Sequence, residues 1–144
     1  MLIPYLTLQD PRAAMTLYER ALDALTEMVM DGPDGSVMHA EMSVGEQRLM
    51  LSGVWPGMSR APEGRSPVNF MLYVDDVDAS LERAEAAGMR VVSEPENMFW
   101  GDRTAKAADG HGYEWTFARQ VESVSDEELA RRAAAFAASM GDGG

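Results

Sequence analysis

The chain contains no cysteine, and this absence sets the first limits on its chemistry. Disulfide bonds, thiolate nucleophiles and cysteine-ligated metal sites are all excluded. No apolar run approaches the roughly 18 residues that a membrane-spanning helix needs. The first residues also lack the basic segment and the cleavage pattern of a signal peptide. We therefore expect a cytoplasmic protein that does not interact with membranes.

Basic residues are scarce as well, since 12 lysines and arginines stand against 24 acidic residues and give a net charge of −12. Such a chain is repelled by phosphate backbones and by anionic lipids, so nucleic acid and membranes are not expected partners. The charge favours a cationic ligand, although solubility alone is the simpler explanation for it. The length of 144 residues is sufficient for one domain with a proper core.

What the sequence does contain is an internal duplication. Shifted by 66 residues without a gap, segment 3–10 aligns with segment 69–76, and segment 47–51 aligns with segment 113–117. In each half, an apolar strand ends in an aspartate that begins an amphipathic helix, and three further strands follow. A repeat of this kind indicates two copies of one supersecondary unit. We predict the order βαβββ in both halves.

The predicted boundaries follow from the repeat. The first unit spans residues 1–52, a crossing loop rich in glycine, proline and serine spans 53–67, and the second unit spans 68–119. The first strand of the chain is predicted over 2–8. In the second unit, a strand over 90–93 is expected to precede a loop over 94–102.

The tail, residues 120–144, carries a helix signal of its own. Ser125 and Glu128 form a capping box, in which a serine begins a helix and a glutamate lies three residues later. An apolar stripe predicts that this helix runs over 126–140. The stripe must pack on its own domain or on a partner chain. It consists of Leu129, Ala133, Phe136, Ala137 and Met140.

Several segments carry a family resemblance: Pro4-Tyr5-Leu6, His39-Ala40-Glu41, Val74-Asp75-Asp76-Val77, Met98-Phe99-Trp100-Gly101-Asp102-Arg103 and Asp109-Gly110-His111-Gly112-Tyr113-Glu114-Trp115. They resemble the vicinal oxygen chelate superfamily of glyoxalase I, bleomycin-resistance proteins and extradiol dioxygenases, and within it the PhnB-like branch. The resemblance implies an α+β fold. Two tandem βαβββ units form a curved mixed sheet around a cleft, and here a C-terminal helix is added.

The resemblance also implies where a metal would bind. Metal-dependent members place one ligand on the first strand and one on the last strand of each unit. These positions fall on Ile3, Met50, Asn69 and Thr116. None of the four is a strong ligand for zinc, nickel or iron. We therefore predict no metal and no other cofactor.

Strand alternation identifies the side chains that face the cleft. His39 is the best candidate for chemistry, because an imidazole near Glu41 can act as a general base around neutral pH. The alternative is that His39 only supports the cleft wall. Trp100 lies in a loop over the cleft mouth, where it either contacts a ligand or forms a hydrophobic plug that packs on Tyr5 or on a partner chain.

The second hairpin leaves its register open, so either Arg103 or the pair Thr104 and Lys106 faces inward. The predicted ligand-binding residues lie on strands of both units and on the loop before Arg103. The full set is Tyr5, His39, Glu41, Arg48, Met50, Asn69, Tyr73, Trp100, Arg103 and Thr116.

These observations favour a metal-free PhnB-like protein that binds a small, cationic molecule in its cleft. The first alternative is a metal-independent isomerase or lyase with His39 as its general base. The second is a metal-dependent enzyme of the glyoxalase or dioxygenase type. We also predict a homodimer, because a half-barrel leaves a sheet edge unpaired and an open edge needs a partner.

Overall fold

The structure is a computed structural model that describes residues 1–141, so the last three residues of the predicted tail lie outside the described residues. Its elements follow the predicted order, and the fold class is confirmed. The strands are β1 (Tyr5–Thr7), β2 (Leu25–Asp31), β3 (Val37–Val44), β4 (Gln47–Ser52), β5 (Asn69–Tyr73), β6 (Arg90–Asn97), β7 (Asp102–Ala108) and β8 (Glu114–Gln120). The helices are α1 (Pro11–Leu22), α2 (Val77–Ala87) and α3 (Asp126–Gly141), and a short 3-10 turn spans Pro33–Gly35.

The eight strands form two separate four-stranded sheets, in the orders β1-β4-β3-β2 and β5-β8-β7-β6. In each sheet the first strand of the unit lies parallel to the last. Leu6 lies opposite Leu51 in the first sheet, and Leu72 lies opposite Phe117 in the second. Both members of the second pair are 66 residues beyond those of the first. The duplication therefore extends to the register of these strands.

The helices begin as their sequences predict. The carboxylate of Asp10 accepts a hydrogen bond from the amide of Ala13 at 3.1 Å, and that of Asp76 accepts one from the amide of Ala79 at 3.0 Å. Each aspartate satisfies an amide that the first turn of a helix leaves unpaired. Within residues 1–141, none of the helices combines the length and the apolar character that crossing a membrane requires.

One face of each sheet is buried in a single core that both units share. Leu51 and Phe117 are almost fully buried, and the rings of Tyr18 in α1 and Trp115 in β8 meet edge to face at 5.2 Å. The opposite faces carry exposed apolar side chains, with Tyr5 52% and Tyr73 64% exposed. We call these the first open face and the second open face.

Asp109 connects the two units. It lies in the turn between β7 and β8, is 3% exposed, and accepts hydrogen bonds from the Tyr18 hydroxyl at 2.6 Å and the Trp115 indole at 3.1 Å. Burial is the main cause that raises the pKa of the Tyr18 hydroxyl, and the nearby carboxylate raises it further. The phenol therefore stays protonated and remains a donor to Asp109.

The crossing loop is fixed at its C-terminal end. The amide of Ser66 donates to the carbonyl of Gly112 at 2.7 Å, and a Cβ atom added at Gly112 would lie 2.7 Å from the Cβ of Pro62. Gly112 has a φ of +100°, which a residue with a side chain rarely adopts. Only glycine therefore lets residues 62–66 pack this closely on the turn after β7.

The tail helix packs on its own chain at one point. The ring of Phe136 lies 5.1 Å from that of Phe99, and Arg132 donates to the carbonyl of Phe99 at 3.1 Å and to Glu122 at 2.7 Å. No residue of α3 is buried, and Met140 is 66% exposed. Most of the predicted apolar stripe is thus uncovered.

Candidate functional site

The first open face holds a connected polar network. The Tyr5 hydroxyl lies 2.8 Å from Nδ1 of His39, and Nε2 of His39 lies 3.7 Å from Oε1 of Glu41. The other carboxylate oxygen of Glu41 lies 3.2 Å from Nη2 of Arg48. Met50 lies between these groups, opposite Tyr5 on one side and Glu41 on the other. Five of the predicted site residues therefore lie on one face.

Local sequence explains this placement. The two-residue turn Gly45-Glu46 joins β3 to β4 and sets Glu41 opposite Met50. Alternate residues of β3, Ala40 and Met42, are buried in the core, so His39 and Glu41 point away from it.

The network constrains the proton positions on His39. Glu41 can only accept hydrogen bonds, so the nitrogen that faces it is better protonated. Nδ1 then accepts the hydroxyl proton of Tyr5 while the ring is neutral. When the ring is charged, Nδ1 donates to the Tyr5 oxygen instead. Tyr5 is half exposed, and the side chains of His39 and Glu41 are 22% and 18% exposed. Tyr5 is therefore the member of this network that an incoming molecule contacts first.

The second open face is built from β5, β7 and β8. Asn69 lies opposite Glu114, and Met71 lies opposite Thr116. The Tyr73 hydroxyl donates to Asp102 at 2.7 Å, and this hydrogen bond to a carboxylate raises the pKa of the Tyr73 phenol. Asn69, Tyr73 and Thr116 thus share one sheet, apart from the His39 network.

Among residues 1–141, no side-chain hydrogen bond or ion pair joins the two open faces. Eight of the ten predicted site residues accordingly fall into two groups, one on each sheet, which we call the two candidate half-sites.

The structure decides between the alternatives for β7. Lys106 lies opposite Thr116 and its amine is 3.6 Å from Glu114, so it belongs to the second open face. Arg103 instead donates to both carboxylate oxygens of Asp78, at 2.7 and 2.9 Å, in the first turn of α2. This pairing lowers the pKa of Asp78. We therefore remove Arg103 from the candidate site, because its guanidinium is held by the helix on the core side of the sheet.

Trp100 belongs to an aromatic group beside the tail helix. It meets Phe99 edge to face at 5.1 Å, and Phe99 in turn contacts Phe136. Trp100 is 38% exposed, and its aromatic neighbour in the described chain is Phe99 rather than Tyr5. The structure does not join it to either half-site.

The donors at the family's metal positions do not fit a divalent ion. Ile3 has no donor atom, Met50 offers a thioether, and Asn69 and Thr116 offer neutral oxygens. Within the described part of the chain, no group of three or more histidine, aspartate or glutamate side chains is placed to hold a metal.

Sequence reasoning missed Arg65. It lies in the crossing loop, where neither alternation nor spacing applies, yet its Nη1 is 3.4 Å from Glu114. In the sequence, Asp109 could be identified only as the first residue of a glycine-rich turn. Its hydrogen bond from the Tyr18 hydroxyl comes from the other unit, and no local pattern contains that contact.

Comparison with known proteins agrees with this architecture. Residues 4–117 match the Glyoxalase/Bleomycin resistance protein/Dioxygenase superfamily, and the chain belongs to that family. An uncharacterized protein of Mycobacterium bovis is 36% identical, over 99% of this chain and 95% of that protein.

Solved structures share the fold. TioX from Micromonospora sp. ML1 superposes with a TM-score of 0.69 and 24% identity, over 83% of this chain and 97% of TioX. The fosfomycin resistance protein FosX from Listeria monocytogenes gives a TM-score of 0.67 and 12% identity, over 90% of this chain and 96% of FosX.

Proposed function

We propose that this chain is a metal-free, PhnB-like member of its family that binds a small molecule, and that the first open face supplies the polar anchor. The observation that carries the proposal is the Tyr5–His39–Glu41 network. His39 and Glu41 are partly buried, Tyr5 is hydrogen-bonded to His39, and the three side chains come from two strands of one sheet, β1 and β3. Such preorganised groups lose little freedom on binding and so favour recognition.

A cationic group on the ligand is supported by two features. The net charge of −12 attracts cations at long range. At short range, one oxygen of the Glu41 carboxylate lies 3.7 Å from the His39 ring while the other is paired with Arg48, and the rings of His39 and Tyr5 have centroids 5.5 Å apart. Aromatic faces and a carboxylate together are suited to an organic cation.

Binding can be measured by NMR on the full chain with a set of cationic, neutral and anionic fragments. Because the chain has two histidines, the His111 imidazole serves as an internal control for that of His39. We expect cationic fragments to shift the His39 signals and to leave those of His111 unchanged. Tyr5→Phe, which removes only the hydroxyl, should weaken binding by about fivefold. His111→Ala should not weaken it.

The same titration after treatment with EDTA tests the proposal that binding does not need a metal. We expect the affinity to be unchanged by the chelator. Binding that disappears with EDTA and returns with zinc, nickel or iron would contradict the proposal. So would a fragment set that shifts neither histidine.

A second candidate function is proton-transfer catalysis, and the hydrogen bond between Tyr5 and His39 favours it. A proton taken from a ligand by the Tyr5 oxygen can be matched by transfer of the tyrosine proton to Nδ1 of His39. Glu41 then stabilises the imidazolium. Fragments that bind would be followed for chemical conversion with wild type and with His39→Ala. Equal rates with both proteins would remove this candidate.

We further propose that two copies of the chain complete each cleft. The proposal is supported by the two half-sites of one chain, which no side-chain bond joins, and by the apolar side chains on both open faces. Met71 and Tyr73 are 54% and 64% exposed on the second face. Apolar exposure of this kind is typical of a surface that a partner covers.

Light scattering at micromolar concentration is expected to give twice the 15.7 kDa mass of one chain. Met71→Glu, which adds a charge to the second open face, should shift the mass towards that of a monomer. Met58→Glu is the matched control, since Met58 is 85% exposed in the crossing loop. Truncation after Gln120 should leave the dimer intact. A dimer that survives Met71→Glu but is lost on truncation would assign the interface to α3 instead.

A further inference from the structure

Basic residues of the crossing loop and the second unit gather at one end of the second open face. Two adjoining cavities, of about 340 and 310 Å³, share Arg65 and Glu114 in their walls. Arg90 lines the first cavity and Lys106, the single lysine of the chain, lines the second. The chain as a whole has a net charge of −12. The walls of these two cavities differ from it, because they contain three basic side chains and one carboxylate.

Glu114 compensates these cations only loosely. Its side chain is 5% exposed, and its carboxylate lies 3.4 Å from Arg65 and 3.6 Å from Lys106. Charge-assisted hydrogen bonds are usually shorter, at about 2.7–2.9 Å. Among the residues that the structure describes, Arg90 has no carboxylate within 4.0 Å. The charged residues in the walls of the two cavities are therefore three cations and one carboxylate.

Neutral donors complete the lining of the second cavity. Asn69 contributes a side-chain amide, and Ser66 contributes a hydroxyl. The Ser66 oxygen accepts the amide proton of Val68 at 3.1 Å, so its own proton remains available for a ligand. The packing of residues 62–66 on Gly112 fixes the backbone of Arg65, although its side chain is 76% exposed.

We infer that these cavities bind the oxyanion group, a carboxylate or a phosphate, of a small molecule. Arg65 and Lys106 each carry N–H donors beyond the one that faces Glu114, so they can bind the ligand while they stay beside that carboxylate, and Arg90 adds its charge. Asn69 and Ser66 donate to the remaining oxygens. The inference rests on the proposed function and deepens it. If the proposed pairing of two copies brings a first open face against a second one, the ligand class becomes zwitterionic.

The test is an NMR titration of the full chain with inorganic phosphate and, separately, with citrate, at constant ionic strength maintained with chloride. The backbone amides of Gly64, Gly110 and Gly112 report on the cavities. We expect saturable shifts of these signals. A lower Kd for citrate than for phosphate, taken from the saturation curves, assigns the group as a carboxylate, and the reverse assigns it as a phosphate.

Arg65→Gln and Lys106→Gln should each weaken anion binding by about fivefold or more. Arg83→Gln is the matched control, because Arg83 is exposed on α2 and lines neither cavity, and it should change the affinity by less than about twofold. Dispersed amide spectra confirm that each variant is folded.

Shifts that do not saturate, or that chloride alone reproduces, would overturn the inference. An equal loss in Arg83→Gln would do the same, because it would assign binding to general charge. The outcome is separable from that of the proposed function. Binding of cationic fragments is measured at the His39 imidazole, whereas binding of the anion is measured at the amides of Gly64, Gly110 and Gly112.

Discussion

Replacing Asp109 with alanine is expected to lower the free energy of unfolding by about 3–5 kcal/mol. Its carboxylate accepts four hydrogen bonds, from the Tyr18 hydroxyl, the Trp115 indole and the amides of His111 and Tyr113. Alanine leaves all four donors without an acceptor. The cost of a buried donor without a partner exceeds the net gain of the bond itself.

Two variants separate the contributions, and urea unfolding measures all of them. Asp109→Asn retains one acceptor oxygen and should cost less than alanine. In the Tyr18→Phe background, Asp109→Ala should cost less than in wild type, because one buried donor is already gone. A loss below about 1 kcal/mol for Asp109→Ala would mean that water reaches these donors. The role of Asp109 as a connection between the units would then be wrong.

The duplication predicted the fold because it is a statement about order and register. An offset of 66 residues places Leu72 and Phe117 where Leu6 and Leu51 stand, and the strands pair accordingly. Hydrophobic alternation is strong in these strands, since one face of each is buried. The units, their helices and the polar side of β3 could therefore be predicted from local patterns.

The second hairpin shows where such patterns end. Glu41 lies opposite Met50, but the residue opposite Thr116 is Lys106, one position short of the offset. The turn between β7 and β8 spans five residues, 109–113, whereas the turn between β3 and β4 spans two. A longer turn changes the register without changing the hydrophobic pattern. The inward face of β7 therefore could not be determined from the sequence.

The strand β6 was predicted too short for a related reason. Residues 94–102 were expected to form a loop, yet β6 continues to Asn97, and Glu96 and Asn97 pair with β7. Pro95 cannot donate a hydrogen bond, and glutamate and asparagine disfavour strands. The edge position of β6 removes this objection, because one side of an edge strand has no neighbour. The pairing also shifts between Ser93 and Glu96, which accommodates the proline.

The residues of the candidate site likewise fall into those that local patterns could place and those that they could not. His39 and Glu41 could be placed by alternation, because short strands with a tight turn fix both side and register. Arg103 could not, because its long side chain reaches Asp78 on a helix that the strand pattern does not include. Arg65 depends on how a loop folds back onto a distant turn.

Gly101→Ala is expected to cost about 3 kcal/mol of stability. Gly101 has a φ of +105°, and an added Cβ atom would lie 2.4 Å from the carbonyl oxygen of Glu122. The carbonyl of Gly101 also accepts hydrogen bonds from the amides of Val121 and Glu122, at 2.9 and 3.0 Å. Two backbone segments therefore meet where a side chain must be inserted. Neither can move without breaking these bonds.

Gly88→Ala is the matched control for this variant. Gly88 ends α2 with a similar φ of +119°, but a Cβ atom there would have no neighbour within 4 Å. Alanine at Gly88 should thus cost only the strain of holding a side-chain-bearing residue at a positive φ, about 1 kcal/mol of stability. The difference of about 2 kcal/mol between the variants isolates the collision with the Glu122 backbone.

The collision should extend to the tail helix. Phe99, two residues before Gly101, carries both the ring contact with Phe136 and the carbonyl that Arg132 reaches. If the turn is displaced, α3 loses its attachment to the second unit, and limited proteolysis should cut the tail faster in Gly101→Ala than in Gly88→Ala. Equal losses of stability and equal cleavage rates would contradict this account. They would mean that the Glu122 backbone yields freely, and that the strained φ is the whole cost at both positions.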